Sequence, residues 1–295
     1  MSEPRMQVSI VLPVYNGEGR VHQAITSCLL QTHSDIELVV VDDCSTDRTP
    51  EIVKSFDDPR IVYIRNVRNA GLPGALNIGF ARTTGNYLTW TSDDNEYAPT
   101  AIAEMLRALR GSPEVDFVYA DYTAYFESTG ETERRKLPDE LALDRTNTVG
   151  ACFLYTRRVY EIVGDFDVRM PLVEDYDYWI RVSKRFRMKH LPMDLYLYRY
   201  HAKSLTSTKL QQVRMLFGVL MFKHGFISAA ALNDSFYNSA YSALSGCSKK
   251  DALSVLAGMV KRLRGISNAL ALRFIVVVPT LWLLRKMRKL GGAAA

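Results

Sequence analysis

The chain reads as an α/β protein, a mostly parallel sheet flanked by helices, with a C-terminal helical extension. Three observations predict this. From Val8 to about Leu191, short β-branched runs alternate with helical segments, the pattern of βαβ units. Two apolar runs close on paired carboxylates, Asp42-Asp43 and Asp93-Asp94, and open α/β sheets collect ligands at the carboxyl ends of their strands. Beyond Thr206 the β-branched alternation fades and the chain reads helical to its end.

The elements follow in order. Val8 to Pro13 is the first strand and His22 to Gln31 the first helix. Ile36 to Val41 is the second strand, and Thr46-Asp47-Arg48-Thr49-Pro50 supplies cap residues and an early proline for a helix from Thr49 to Phe56. Ile61 to Ile64 is a third strand. The Gly71-Leu72-Pro73-Gly74 turn then opens a helix to Ala81, and glycine there lets a ligand approach the backbone. Tyr87 to Thr91 reads as a buried strand, Thr100 to Arg110 as a helix and Phe117 to Tyr119 as a strand. From Tyr122 to Asn147 the chain is polar and irregular, with a charged tip at Glu131 to Lys136, which suits a surface hairpin or a mobile loop beside a site. A helix follows Asp175, with Tyr178, Trp179 and Val182 on its core side, and Leu195 to Tyr200 is an aromatic strand. Amphipathic segments then appear around Leu216, Val219 and Leu220, over Ala229 to Leu244 and over Leu253 to Leu263, before a tail from Ala269 to Leu290. This divides the chain into residues 1–206, the main domain, and 207–295, the helical extension with a basic amphipathic tail.

At 295 residues the chain buries a full α/β core and still carries an appended region. The net charge of +5 is unevenly spread: between Lys249 and Leu290 many bases face Asp251 as the sole acid. That asymmetry suits an anionic surface, with membrane phosphate or nucleic acid as candidates. Phe274 to Leu284 is apolar but interrupted by Pro279, and a spanning helix needs ~20 apolar residues, so the tail lies in a membrane interface or packs on protein. Cys28, Cys44, Cys152 and Cys247 form no C-x-x-C pair and read as packing residues of a reducing compartment. The start, Met1-Ser2-Glu3-Pro4-Arg5, has no signal-peptide character, so a cytoplasmic location is expected.

Asp43, Asp93 with Asp94, Glu174 with Asp175, and His201 are the polar positions that recur after apolar segments. Magnesium or manganese takes oxygen ligands and leaves positions open for substrate phosphates, so one or two of these carboxylates suffice to hold a cation against a diphosphate. Glu174 and Asp175 stand at the start of a helix, where the residues alone favour an N-terminal cap over a catalyst. His201, just past an aromatic strand, reads by default as a polar strand-end residue rather than a ligand.

Six motifs occur in order: Val8 to Asn16 with its Pro13-Val14-Tyr15-Asn16 turn, Val41-Asp42-Asp43, Asn69-Ala70-Gly71, Ser92-Asp93-Asp94, Glu174-Asp175 running into Tyr176 to Arg181, and Tyr198-Arg199-Tyr200-His201. Over roughly Gln7 to Thr206 the chain thereby resembles the family 2 glycosyltransferases with the GT-A fold, a Rossmann-like sheet, and is similar to their bacterial spore-coat member. The resemblance implies that Pro13, Tyr15 and Asp43 hold the nucleotide, with Asp43 accepting from a uracil ring, and therefore a UDP-sugar donor. It also implies that Asp94 binds Mn2+ or Mg2+, that Asp93 lies near the ribose or sugar, and that His201 completes the metal or diphosphate site. Ser92 replaces the first acid of the family's D-x-D. Leu76 stands where many relatives have arginine, and Arg68 takes its place.

The resemblance reverses the weighting at Asp175, making it the general base of a metal-dependent, inverting hexosyl transfer. Its acceptor would be a glycan or lipid-linked hydroxyl in cell-surface polysaccharide synthesis, reached at the inner face of the cytoplasmic membrane, with no nucleic acid involved. A nucleotidyltransferase would need a richer phosphate loop than Tyr15-Asn16-Gly17-Glu18-Gly19. A scaffold of envelope glycan assembly without turnover finds support in Ser92 and is opposed by Asp43, Asp94 and Asp175.

Overall fold

The structure, a computed structural model, describes residues 6–228 and 231. The element order begins β1 (Val8–Val14), α1 (Val21–Leu29), β2 (Ile36–Asp42), α2 (Thr49–Lys54), β3 (Ile61–Arg65), α3 (Gly71–Phe80), β4 (Tyr87–Trp90), β5 (Glu96–Tyr97) and α4 (Ala101–Arg110). It continues with β6 (Phe117–Phe126), β7 (Glu131–Arg135), β8 (Cys152–Thr156), α5 (Arg157–Val163), α6 (Glu174–Ser183), β9 (Met188–Tyr200), α7 (Leu205–Thr208) and α8 (Leu210–Lys223). The chain separates into two units, Met1–Thr208 and Lys209–Ala295. The amphipathic segments over Ala229 to Leu244 and Leu253 to Leu263, the tail from Ala269 to Leu290, and Cys247 lie outside the described residues, apart from Ala231.

The sheet runs in the order β3-β2-β1-β4-β8-β6-β9-β5, with β7 added to β6. The half from β3 to β4 is parallel, because each crossover passes through a helix. β8 runs against both β4 and β6, while β6 and β9 are parallel again. Strand order therefore reverses beside β1, with β2 on one edge and β4 on the other, and this opens a crevice at their carboxyl ends.

Every residue of β1 and of β2 is buried, as expected for strands covered on both faces. On one face Ile10, Leu12, Leu38 and Val40 pack with α1 and α4. In α1, Val21, Ala24, Ile25 and Cys28 follow the helical period that turns one stripe inward. On the other face Gly79 of α3 lies against Val11, where an added Cβ would collide with the valine methyl. Beyond it α6 contributes Trp179, whose ring meets Phe153 at 4.5 Å and Phe117 at 5.0 Å, edge to face in both cases. Such pairs add ~0.5–1.5 kcal/mol beyond simple burial.

The strands expected over the first half are present, close to their expected limits. β5, β7 and β8 are additions, and β6 and β9 are longer than their apolar cores. From Met188 to Asp194, β9 carries no strand signal in the sequence because Pro192 interrupts it; the pairing with β6 shifts register there, from Ala120 opposite Leu191 to Asp121 opposite Asp194. The polar stretch after Tyr122 begins as a hairpin, with Phe126 opposite Glu131.

Candidate active site

The carboxyl ends of β1 and β2 are zipped together by short polar side chains. Asn16, held at φ 53°, donates its backbone N–H to Ser45 Oγ at 2.9 Å and accepts from the Thr46 N–H at 2.8 Å. Gly17 N–H donates to Thr49 Oγ1 at 2.9 Å, and Asp47 receives the Glu18 N–H at 3.1 Å and the Thr49 N–H at 3.0 Å. Asp47, expected among the cap residues of α2, stands one residue before its N-cap Arg48, and its carboxylate joins the helix start to the neighbouring loop. Tyr15 stands 52% exposed above this zipper.

Pro13 is buried within β1, opposite Val41. Val11 O accepts from the Thr91 N–H, and Pro13, of the same parity, turns its backbone to that same β4 side, where the ladder ends at Val11. No sheet hydrogen bond is lost by its missing N–H, and the opening between β1 and β4 begins there.

Asp43 is 3% exposed. Its carboxylate accepts the Ala70 N–H at 2.8 Å, the Gly71 N–H at 2.9 Å and the Asn66 side-chain amide at 2.7 Å, which gathers the loop between β3 and α3. Arg68 is exposed in that loop. Leu76 is fully buried, and its neighbour Asn77 bonds both backbone groups of Phe166.

After β4 the chain turns through Ser92, Asp93 and Asp94. The Asp93 carboxylate lies against the Cα of Gly17, where any Cβ would overlap its oxygen. Burial, and next to it the charge of Asp94, push the Asp93 carboxyl up to about 8, while the Arg20 guanidinium pulls the other way. Asp94 Oδ2 meets His201 Nε2 at 2.9 Å. His201 Nδ1 accepts the Lys203 N–H at 3.2 Å, so Nε2 carries the proton and donates to Asp94. Arg199 braces the same turn: its Nε donates to the Asp94 carbonyl at 3.1 Å, an Nη to Glu96 at 2.7 Å, and its backbone N–H to Asn95 Oδ1 at 2.8 Å.

Asp175 opens α6. The Tyr176 N–H donates to its Oδ1 at 2.7 Å and the Asn147 side-chain amide to its Oδ2 at 3.1 Å. Glu174 beside it is 4% exposed and its Oε2 has no hydrogen-bond partner. The structure thus joins Asp94 to His201 and sets Asp93 against Gly17. Asp43 holds its own loop, and among the described residues no hydrogen bond links Asp175 to the Asp94 turn. Gly17, Arg20, Arg199 and Asn147 were not singled out by sequence. Arg199 stands within the last motif but carries no role from it, whereas Asn147 ends a stretch with no periodicity to mark it.

Among the described residues no group of three or more histidine, cysteine or acidic side chains is placed to enclose a metal. A cation that takes most of its ligands from a diphosphate and water needs less. Asp94 offers one carboxylate, His201 would add an imidazole nitrogen once Nε2 gives up its proton and its bond to Asp94, and a cation beside them would favour the ionised form of Asp93, which burial first and the Asp94 charge second now oppose. The residues present fit such an ion.

The sequence profile of the family described as glycosyl transferase family 2 matches residues 9–173, more than half of the chain. The chain belongs to glycosyl transferase family 2. An uncharacterised glycosyltransferase of Rickettsia prowazekii is 31% identical to this transferase over 220 residues, 70% of this chain and 68% of that one. The Escherichia coli UDP-Glc:alpha-D-GlcNAc-diphosphoundecaprenol beta-1,3-glucosyltransferase WfaP is 26% identical over 222 residues, 70% and 82% of the two chains. In fold the transferase is similar to S. aureus TarS 1-349 in complex with UDP-GlcNAc, with TM-score 0.63 and 17% identity over 90% of this chain and 84% of that one. It is also similar to the mannosyltransferase PcManGT from Pyrobaculum calidifontis in complex with GDP-Man and Mn2+, with TM-score 0.58 and 16% identity over 92% and 86%. The mixed sheet with flanking helices is the GT-A fold of these transferases.

Proposed function

We propose that this glycosyltransferase moves a hexosyl group from a UDP-sugar, with inversion, to a hydroxyl of a lipid-linked glycan in cell-surface polysaccharide synthesis. One observation carries the reading: the turn after β4 brings Asp93 and Asp94 to the crevice beside β1, where His201, just past β9, bonds Asp94. In this reading Tyr15 stacks on the base, Asp43 accepts from it through a lone pair left free by its loop, and Arg68 reaches the nucleotide. Pro13 ends the ladder so that the crevice stays open, and Asp93 faces the ribose or sugar.

Asp94, with His201 once its Nε2 is deprotonated, would hold Mn2+ or Mg2+, and the ion would supply positive charge against the departing diphosphate. Asp175 takes the proton of the acceptor hydroxyl as that oxygen bonds the anomeric carbon, and the carbon–oxygen bond to the diphosphate breaks on the opposite face. Holding acceptor and donor in line is a large part of the barrier reduction. The lipid-linked acceptor is supported by the name of the Escherichia coli relative, and the donor by that name and by the UDP-GlcNAc bound in the S. aureus protein. The basic tail would hold residues 1–206, the catalytic domain, at the inner membrane face.

The test is nucleotide release from a panel of UDP-sugars and GDP-mannose with manganese, in chelator, and with Asp94→Ala. At least one donor releases nucleotide, and both chelator and Asp94→Ala abolish release while the variant folds normally. Full release in chelator overturns the metal role, and release from no donor favours a scaffold that keeps the fold without turnover.

A further inference from the structure

Buried Glu174 and half-buried Asp175 are adjacent carboxyls at the first turn of one helix, and two negative charges so placed, without a cation between them, are costly. Their surroundings differ. Both oxygens of Asp175 are met by donors, the Tyr176 N–H on Oδ1 and the Asn147 amide on Oδ2, whereas Oε2 of Glu174 has none. We propose that Asn147 is a positioning residue for the transfer, its amide N–H making Asp175, and not Glu174, the charged member of the pair and aiming Oδ2 at the acceptor hydroxyl. This rests on Asp175 being the base.

Asn147 is itself held from both sides. Its Oδ1 accepts the Val149 N–H at 3.3 Å, Thr148 Oγ1 accepts the Ala142 N–H at 3.3 Å, and Tyr176 of the same helix α6 donates its hydroxyl to Leu143 O at 3.0 Å. Farther along, the Leu137 N–H donates to buried Asp121 and Tyr119 donates its hydroxyl to Pro138 O. The segment from Leu137 to Val149 is thus pinned before it reaches Asp175, and the amide arrives with little freedom left to lose. A donor so fixed favours the ionised carboxylate without paying for its own ordering.

The direction of the titrations agrees. Burial raises both carboxyls; Asp175 is drawn back by the Tyr176 N–H and the Asn147 amide, and Glu174, though drawn back by the Glu174, Leu172 and Val173 N–H groups, is pushed up further by the charge of Asp175. Beside the pair, Tyr176 is kept protonated by burial and by the charges of Asp144 and Asp175, and buried Asp177 pairs with Arg181 at 2.9 Å.

The experiment is a pH titration of the full chain carrying 13C-carboxyl aspartate and glutamate, with the Asp175 resonance assigned by its loss in Asp175→Asn. In the native chain Asp175 titrates below Glu174. In Asn147→Ala, and in Asn147→Asp, which keeps the acceptor for the Val149 N–H but loses the donor, the Asp175 midpoint rises by about one pH unit or more, a tenfold gain in proton affinity. In nucleotide release from the donor panel, the acid limb of kcat moves up with it and the donor KM is unchanged. An unmoved midpoint in both variants overturns the proposal, as does a native pH profile in Asn147→Asp. If Asp175→Asn turns over normally, the base assignment fails while the titration still decides whether Asn147 sets the charge. If Asp175→Asn is inactive and the Asn147 variants behave as the native chain, only the positioning role fails.

Discussion

At the residue scale, Asp175 shows why a cap and a catalyst are hard to tell apart by sequence. The N-cap of α6 is Val173 and has no side-chain cap bond, yet the Asp175 carboxylate still serves the helix by accepting the Tyr176 N–H, and it accepts a side-chain donor from a distant loop, as an oriented base does. Substitution separates the two. Asp175→Asn keeps shape and cap but cannot take a proton, so kcat falls by roughly 10²–10⁴ with donor KM little changed. Steady-state kinetics beside a melting curve checks this: near-normal turnover with a lowered Tm would return Asp175 to its capping role. His201 illustrates the complementary case, since its protonation pattern is set by the Lys203 N–H, which no motif records.

At the element scale, two loop contacts decide whether the crevice keeps its form. Gly17→Ala places a methyl where the Asp93 carboxylate and a Val14 methyl now sit. Overpacking of this kind costs ~1–3 kcal/mol. The variant should fold, with nucleotide-dependent manganese binding weakened at least about tenfold, a change of ~1.4 kcal/mol; manganese EPR in the presence of UDP reads it, and native binding would show that Asp93 swings aside freely. At the opposite end of β2, buried Glu37 accepts from Ser9 Oγ and the Thr84 N–H, from Thr84 Oγ1 at 2.9 Å and from the Gly85 N–H at 3.2 Å, tying the α3–β4 turn to the sheet. Burial by itself raises this carboxyl; the Ser9, Thr84 and Gly85 donors outweigh it and hold Glu37 below the ordinary range. Its contribution is therefore complete above the ordinary carboxylate value and is lost as pH falls through the lowered one. Glu37→Gln should cost ~1–3 kcal/mol at neutral pH, and its Tm should fall less than that of the native chain on acidification below about pH 5. Parallel losses in the two proteins would remove Glu37 as a source of acid lability.

At the scale of the whole molecule, the question is what the basic tail adds to a catalytic unit. No described helix is long and apolar enough to cross a membrane. Leu281, Trp282 and Leu284, with Arg285, Lys286, Arg288 and Lys289 following, have the composition of an interfacial segment, and each base near an anionic surface adds ~1 kcal/mol. Flotation with anionic liposomes should therefore carry the full chain and leave behind one cut after Gly265. Equal flotation of both, or of neither, would remove the tail as an anchor.

By itself the sequence determined the βαβ half of the fold, the placing of its acidic turns at strand ends, and the family. These rest on local information: hydrophobic period, turn residues and motif order are all written within a few positions of one another. Only the tertiary structure decided that β8 enters the sheet reversed, that Asp43 is engaged by the Asn66 to Gly71 loop, that Gly17 yields its Cβ space to Asp93, and that Asn147 reaches Asp175. Each is a contact between residues far apart in the chain, where the choice of partner is made by packing and by the need of buried polar groups for hydrogen bonds, and neither is encoded in a residue's immediate neighbours.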